Sequence, residues 1–301
     1  MKRIYLSIAL LLSVVMVQAQ SDTVKYWTFK GKTSLNVNQN YFSNWSEGGQ
    51  SAYGLVGKFT MNADYKKDKY TWTNWLDLAL GYSVIGESNP VKTDDKIEFI
   101  TNLNRVINEK WNYSLVGSFK SQSAKGYDYA TDSSTYISKF MAPAYTDLGI
   151  GIQYKPNEHF LVNYSPFTGR WIIVSDQELA DNGSFGLKPA ERDSSGNIIN
   201  HASMVKTMFG SKLTMVVKYE IMKNVDLSSK LELFSDYLDN PQNIDIDWQV
   251  AIGMKVNKWL NVSIDTQLRY DNDVMITDKN GNTGPRTQFK QLLMLGLAYN
   301  F

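Results

Sequence analysis

Chemistry in this chain would have to come from few side chains. Its two histidines are His159 and His201, and it has no cysteine, which removes disulfides, thiolate zinc sites and cysteine nucleophiles together. A Ser–His hydrolase needs its imidazole within reach of a hydroxyl and an orienting partner. Neither histidine lies in such a constellation: His159 falls in a short turn and His201 at the end of the longest loop. In DKNGNTG, Asp278, Asn280 and Asn282 have calcium-loop spacing, but Thr283 stands where glycine is expected and Phe289 where a bidentate Glu would close the site. Asn280–Gly281 reads instead as a tight turn. Asp176, Glu178 and Asp181 in SDQELAD read as a solvated or helical loop segment. No catalytic, cofactor-binding or metal residue is assigned, and the chain is not expected to be an enzyme.

The charges within the strand-like stretches say more. Lys58, Asp77, Glu98, Lys120, Lys212, Lys218, Lys230, Glu232, Asp245, Asp247, Lys255, Asp265, Arg269 and Lys290 all stand opposite an apolar series of period two. AYGLVGKFTMNADY shows the pattern: Tyr53, Leu55, Phe59, Met61 and Tyr65 share one parity, with Lys58, Thr60, Asn62 and Asp64 on the other. Such series recur to the end of the chain, where Leu293, Leu295, Leu297, Tyr299 and Phe301 line one face. Together with an irregular first strand around KTSLNVNQN they predict twelve strands, many longer than the roughly five to six residues usual in soluble sheets.

The connections alternate in length. Short turns fall at 66–69, 108–110, 155–158, 223–224 and 257–258; longer ones at 40–51, 86–94, 123–143, 166–208, 238–243 and 271–286. Tyr65, Tyr70, Trp111, Tyr154, Trp259 and Tyr299 crowd the short-turn end. This asymmetry predicts an all-β fold, a closed antiparallel transmembrane β-barrel of about twelve strands with short periplasmic turns, an aromatic girdle and long external loops. A sandwich would alternate too, but would not need every second turn short. A Lys or Arg on the lipid face costs roughly 2–4 kcal/mol at the midplane, so the charged parity is expected to line the lumen, as a selectivity filter or as ion pairs that fill it. Asn74, Gln291 and Arg105 break the pattern on the apolar parity.

Residues 1–19 have Lys2 and Arg3, an apolar run of about 13 residues and Ala19 before Gln20, the form of a cleaved secretory signal and too short to span as a helix. Residues 20–301 then form a single outer-membrane barrel domain, in which 166–208 is a long external or inward-folded loop. Lys plus Arg number 31 against 30 Asp plus Glu, so no basic excess points to nucleic acid. The apolar run Trp171–Val174 in a loop predicts that part of 166–208 packs into the lumen or across its mouth.

Two segments form a candidate loop motif: Asn44–Trp45 with Gly48–Gly49, and Ser165-Pro166-Phe167-Thr168-Gly169 with Arg170, Trp171, Ile173-Val174, Asp176 and the Gly183–Gly186 stretch. With the strand pattern, these resemble a family of Bacteroidota outer-membrane proteins known only as a domain of unknown function, number 3078. The resemblance implies a Gram-negative outer-membrane barrel and brings no substrate or reaction. Tyr299 and Phe301 are similar to the carboxyl-terminal signal that barrel-assembly machinery reads. The function expected is a porin-like pore or transport barrel for small solutes with a loop constriction; the alternatives are a closed barrel serving as an interaction or assembly component of the envelope, and an outer-membrane hydrolase using loop carboxylates and His201. The partners expected are outer-membrane lipid, the assembly machinery and a small-solute substrate.

Overall fold

A computed structural model describes residues 26–40, 50–129, 132–277 and 281–301. Twelve antiparallel strands close into one barrel: β1 (Trp27–Asn40), β2 (Ala52–Lys67), β3 (Tyr70–Ile85), β4 (Val91–Val106), β5 (Trp111–Ser121), β6 (Ala144–Tyr154), β7 (Phe160–Ile173), β8 (Val205–Met222), β9 (Val225–Asp236), β10 (Ile244–Lys255), β11 (Leu260–Tyr270) and β12 (Gln288–Asn300). Each pairs with its sequence neighbours, and β1 pairs with β12 to shut the wall. That seam is short: it joins Lys32–Val37 to Asn300–Leu295, whereas the ladder between β2 and β3 runs from Ala52 to Lys67.

Period two explains the wall. Along β6, Leu148, Ile150 and Ile152 are exposed while Asp147 and Gln153 are buried; along β12, Leu293, Leu295, Leu297 and Tyr299 are exposed while Met294 and Ala298 are buried. Apolar outside and charged inside inverts a soluble protein and is the distribution a lipid-facing barrel needs. Trp27, Tyr65 and Trp72 cluster with ring centroids 5.2–5.5 Å apart at the short-turn end, as do Trp111 and Tyr154 at 4.7 Å.

Three short turns share one device. Asn108, Asn157 and Asn257 each accept two backbone N–H bonds on Oδ1, at 2.8–3.0 Å, from the residues that begin the next strand. An Asx turn of this kind replaces the ladder bonds that a reversing chain gives up.

Asn74 keeps the apolar parity without an unpaired polar group. Trp72 Nε1 donates to Thr101 Oγ1 at 2.7 Å, Thr101 Oγ1 donates to Asn74 Oδ1 at 2.8 Å, and Asn74 Nδ2 donates to the Ala63 carbonyl at 3.3 Å. Arg105 is exposed on the outer parity, between Tyr70 and Tyr113 beside a short turn; the bulge of β4 lies at Thr93, far from it. Gln291 is exposed, and nothing in the structure explains it.

The connection expected over 166–208 spans 174–204 instead. Pro166–Ile173 belongs to β7 and Val205–Met208 to β8, because the apolar stretch 171–173 finds ladder partners on both sides. Asn44, Trp45, Gly48 and Gly49 lie outside the described residues. The Ser165–Gly169 segment is a β-bulge: Ile150 faces Phe167 and Ile152 faces Tyr164, one extra residue on β7, and the same slip occurs against β8. Pro166 has no N–H to give a ladder, and a bulge is where a strand tolerates that. The bulge crowds Gly151, where a Cβ would stand 2.0 Å from the Tyr164 carbonyl oxygen and 2.6 Å from Ser165 Cα. Gly151→Ala is expected to lower barrel stability by about 1–3 kcal/mol, the usual cost of overpacking against backbone. The midpoint of urea unfolding in lipid vesicles checks it, and an unchanged midpoint would refute the close approach.

Candidate solute site in the lumen

The bulge has a chemical consequence. Tyr164 and Phe167 both face outward, and the flipped parity turns Thr168, Arg170 and Ile172 inward. Without the extra residue Arg170 would share the outer face with Tyr164. As built, its Nε donates to Asp147 Oδ1 at 2.8 Å, its Nη1 to Asp245 Oδ2 at 3.0 Å, and its guanidinium lies 3.7 Å from the Phe234 ring centroid.

Arg170 joins a layer of ion pairs that crosses the barrel at mid-height. Glu98 of β4, 1% exposed, receives Lys230 of β9 at 2.5 Å, with Lys96 at 3.3 Å and Lys120 at 3.6 Å. Lys120 of β5 bonds Glu232 of β9 and reaches Asp247 of β10 at 3.2 Å. Lys212 of β8 holds Asp147 at 2.7 Å and Glu232 at 3.4 Å. β4 and β5 stand far from β9 and β10 in the strand order, so Glu98–Lys230, Lys120–Glu232 and Lys120–Asp247 meet across the lumen, while the Lys96–Glu98, Lys120–Glu98 and Lys212–Glu232 contacts join the same or adjacent strands. Charges this deeply buried persist only when paired.

A second set ties β2, β3, β4, β11 and β12: Lys58 bonds Asp265, Lys290 reaches Asp94 at 3.0 Å, and Asp77 holds Lys96 at 2.5 Å. Two predicted lumen residues stand apart from both sets. Lys218 is exposed near the short-turn end, and among the described residues Lys255 pairs with Asp226 alone, both about half exposed. Sequence reading missed Asp147, Lys96 and Asp94, although Asp147 carries the signal, a charge one position before the outward Leu148.

Above the ion-pair layer, toward the long loops, lies a cavity of about 420 Å³. Glu98, Lys120 and Glu232 form its floor, Arg269, Lys290, Gln267 and Gln288 one wall, and Tyr145, Phe185 and Phe234 its rings. The 174–204 connection helps to cap it. Val174, Leu179, Ala180 and Leu187 pack with Ile172, Met208 and Phe234 of the strands in one buried cluster, with Phe185 and Tyr145 against it. Gly183, Phe185 and Gly186 all have positive φ, of 71°, 60° and 81°. That fold, uncommon for a bulky residue, is the one that brings the Phe185 ring to the cavity.

The loop carboxylates fasten this cap. Asp176 caps the short helix Gln177–Asp181 by accepting the Leu179 N–H at 3.0 Å, and its other oxygen receives Tyr136 at 2.9 Å and Lys139 at 2.5 Å. Burial pushes the Asp176 carboxyl up, but Lys139, the Leu179 N–H and the Tyr136 hydroxyl outweigh it and hold it at about 2. Asp181 accepts from Ala202 N at 2.8 Å and Gln177 at 2.8 Å and contacts His201 Nδ1 at 2.7 Å. Glu178 is exposed. His159 sits at its turn against Tyr219, 5.2 Å between ring centroids, with Nδ1 3.0 Å from the Lys218 carbonyl oxygen. Asp278 and Asn280 lie outside the described residues; the Asn282 carbonyl accepts from Arg286 at 3.1 Å.

At the closing strand, Tyr299 stacks between Trp259 and Phe301 at 6.4 and 6.3 Å. Phe301 exchanges both backbone bonds with Gly31, at 2.9 and 3.0 Å, and its ring covers the place where a Cβ of Gly31 would be.

No curated protein matches this chain. Among solved structures, an outer membrane channel from Pseudomonas putida F1 is 15% identical, with 94% of this chain and all of that one covered and a TM-score of 0.39. The NanC porin is 8% identical over 89% of this chain and 98% of its own, with a TM-score of 0.38. The translocator domain of the autotransporter NalP from Neisseria meningitidis is 9% identical over 99% and 96%, with a TM-score of 0.33. Likeness at this level says nothing of a substrate. Residues 37–127, from the end of β1 through β5, match the family model described as protein of unknown function (DUF3078).

Proposed function

We propose that the protein is an outer-membrane barrel that admits small polar solutes from its long-loop side into the capped cavity and passes them when the mid-barrel ion pairs part. One observation carries this reading: a cavity of about 420 Å³, within the size range of ligand sites, ends on a floor of cross-barrel charges rather than on packed apolar side chains. Lys230 and Glu98 face each other across the lumen, so neutralising both removes the bond between the walls while leaving the outer face untouched. Solutes would enter beneath the 174–204 connection, and lipid would meet the apolar outer parity. Tyr299 and Phe301, on the closing strand, serve in this reading as the signal for barrel-assembly machinery.

Conductance in planar bilayers tests the proposal. The wild type is expected to be closed most of the time, and the double variant Glu98→Gln, Lys230→Gln to show openings at least several-fold more frequent. A double variant that inserts normally and stays shut would favour the alternative, a sealed barrel that docks another envelope component. That alternative predicts a stoichiometric partner after crosslinking. A hydrolase using loop carboxylates and His201, whose Nδ1 lies 2.7 Å from Asp181, predicts activity on envelope substrates that His201→Ala abolishes.

A further inference from the structure

Arg269 differs from the other inward cations of the cavity. Arg170 spends its guanidinium on Asp147 and Asp245, and Lys120 is held by Glu232 and Asp247. Arg269 donates no hydrogen bond to any described residue; the nearest carboxylate oxygen, on Asp247, is 3.7 Å from its Nε. Asp247 is already engaged by Lys120 at 3.2 Å and by Gln267 at 2.9 Å. The Arg269 side chain is nevertheless 46% exposed, and it lines the cavity. On the neighbouring strand, Lys290 is 44% exposed in the same cavity and has Asp94 as its partner.

A guanidinium with donors to spare in a cavity of mixed apolar and charged lining is a carboxylate receptor: its fork matches two oxygens at once, and its charge needs a counterion more as water is excluded. We propose that Arg269 binds the carboxylate of a small organic solute, with Lys290 adding positive charge and the Phe185 and Tyr145 rings flanking the carbon skeleton. This rests on the cavity being a solute site. Asp271 lines the same cavity and accepts the Asp273 N–H at 2.9 Å, so a solute carrying an ammonium as well has a second anchor there. Asp245, the other acid at this level, is occupied by Arg170.

Three matched probes separate the possibilities: propionate, β-alanine and propionamide, titrated by ligand-observed NMR into the full-length barrel in detergent micelles. Propionate is expected to bind about ten-fold or more tightly than propionamide, the factor for one charge-assisted hydrogen bond. Arg269→Gln should erase that preference, and Arg269→Lys should restore only part of it. β-Alanine binding equal to propionate identifies the carboxylate as the whole determinant, and tighter binding extends the class to zwitterions held by Asp271; both support the assignment. Equal binding of propionate and propionamide, no binding of propionate, or an Arg269→Gln variant that keeps the preference would each overturn it. Binding in micelles needs no conduction, so a barrel that never opens can still pass this test. A barrel that conducts but ignores the carboxylate removes this inference alone.

Discussion

Glu98→Ala is expected to destabilise the barrel by roughly 3–5 kcal/mol, the range for stripping one partner from a buried ion pair. Glu98 is 1% exposed and faces Lys230, Lys96 and Lys120 at 2.5, 3.3 and 3.6 Å. Its loss leaves Lys230 with Glu232 at 3.9 Å as its nearest acid among the described residues, and Lys96 and Lys120 each with one acid fewer, since they keep Asp77 and Glu232 with Asp247. The cost comes from the stranded charges more than from any lost attraction, so removing a cation as well should help. Glu98→Ala with Lys230→Met is expected to recover a large part of the loss, because it deletes one of the stranded charges along with the acid. Urea unfolding in vesicles of defined lipid would show both. A single variant within about 1 kcal/mol of wild type, inside the ordinary range for point changes, would mean that water reaches these charges and that the floor is open.

Ile150→Arg should cost roughly 2–4 kcal/mol, the price of a cation on the lipid face at mid-depth. Ile150 is 63% exposed and sits in the middle of β6, opposite Leu115 and Phe167. In water, turning an exposed isoleucine into arginine would be close to neutral, so the size of the effect identifies the solvent on that face. Leu238, 69% exposed in the connection after β9, supplies the control. Leu238→Arg is expected to stay within about 0.5 kcal/mol, as surface changes away from special features do. Equal and small effects at both positions would remove the lipid reading of the outer wall.

The barrel was legible because lipid outside and charge inside impose a strict period of two, and twelve such series reach from KTSLNVNQN to the final strand. The inward parity of Glu98, Lys120, Lys230 and Glu232 could be read directly. Their partnership could not, since which charges meet across a lumen depends on strand tilt and diameter, and neither is written in local pattern. The sequence pattern places Arg170 in a loop for a different reason. A single inserted residue at Ser165–Thr168 reverses parity, and an alternation count that passes through a bulge assigns everything beyond it to the wrong face. The cap over 174–190 mixes a short helix, positive-φ residues and isolated apolar positions, so no periodicity marks it, and the apolar run Trp171–Val174 that suggested inward packing belongs up to Ile173 to a strand.

The seam between β1 and β12 bears on how the molecule is made. Every other ladder in the wall joins consecutive strands and can zip from a turn or connection of modest length. Lys32–Val37 must find Leu295–Asn300 across the whole intervening chain, at the largest loop-closure entropy the fold contains and with the shortest ladder in the wall as the return. Until that meeting, a curved sheet presents two bare edges that lipid will not tolerate. Closure is therefore the natural last step of folding and the natural first step of unfolding. Substitutions at Gly31, Asn36 or Gly296, where the two strands approach most closely, should register as changes in the rate of barrel completion before they register in the finished barrel's equilibrium stability.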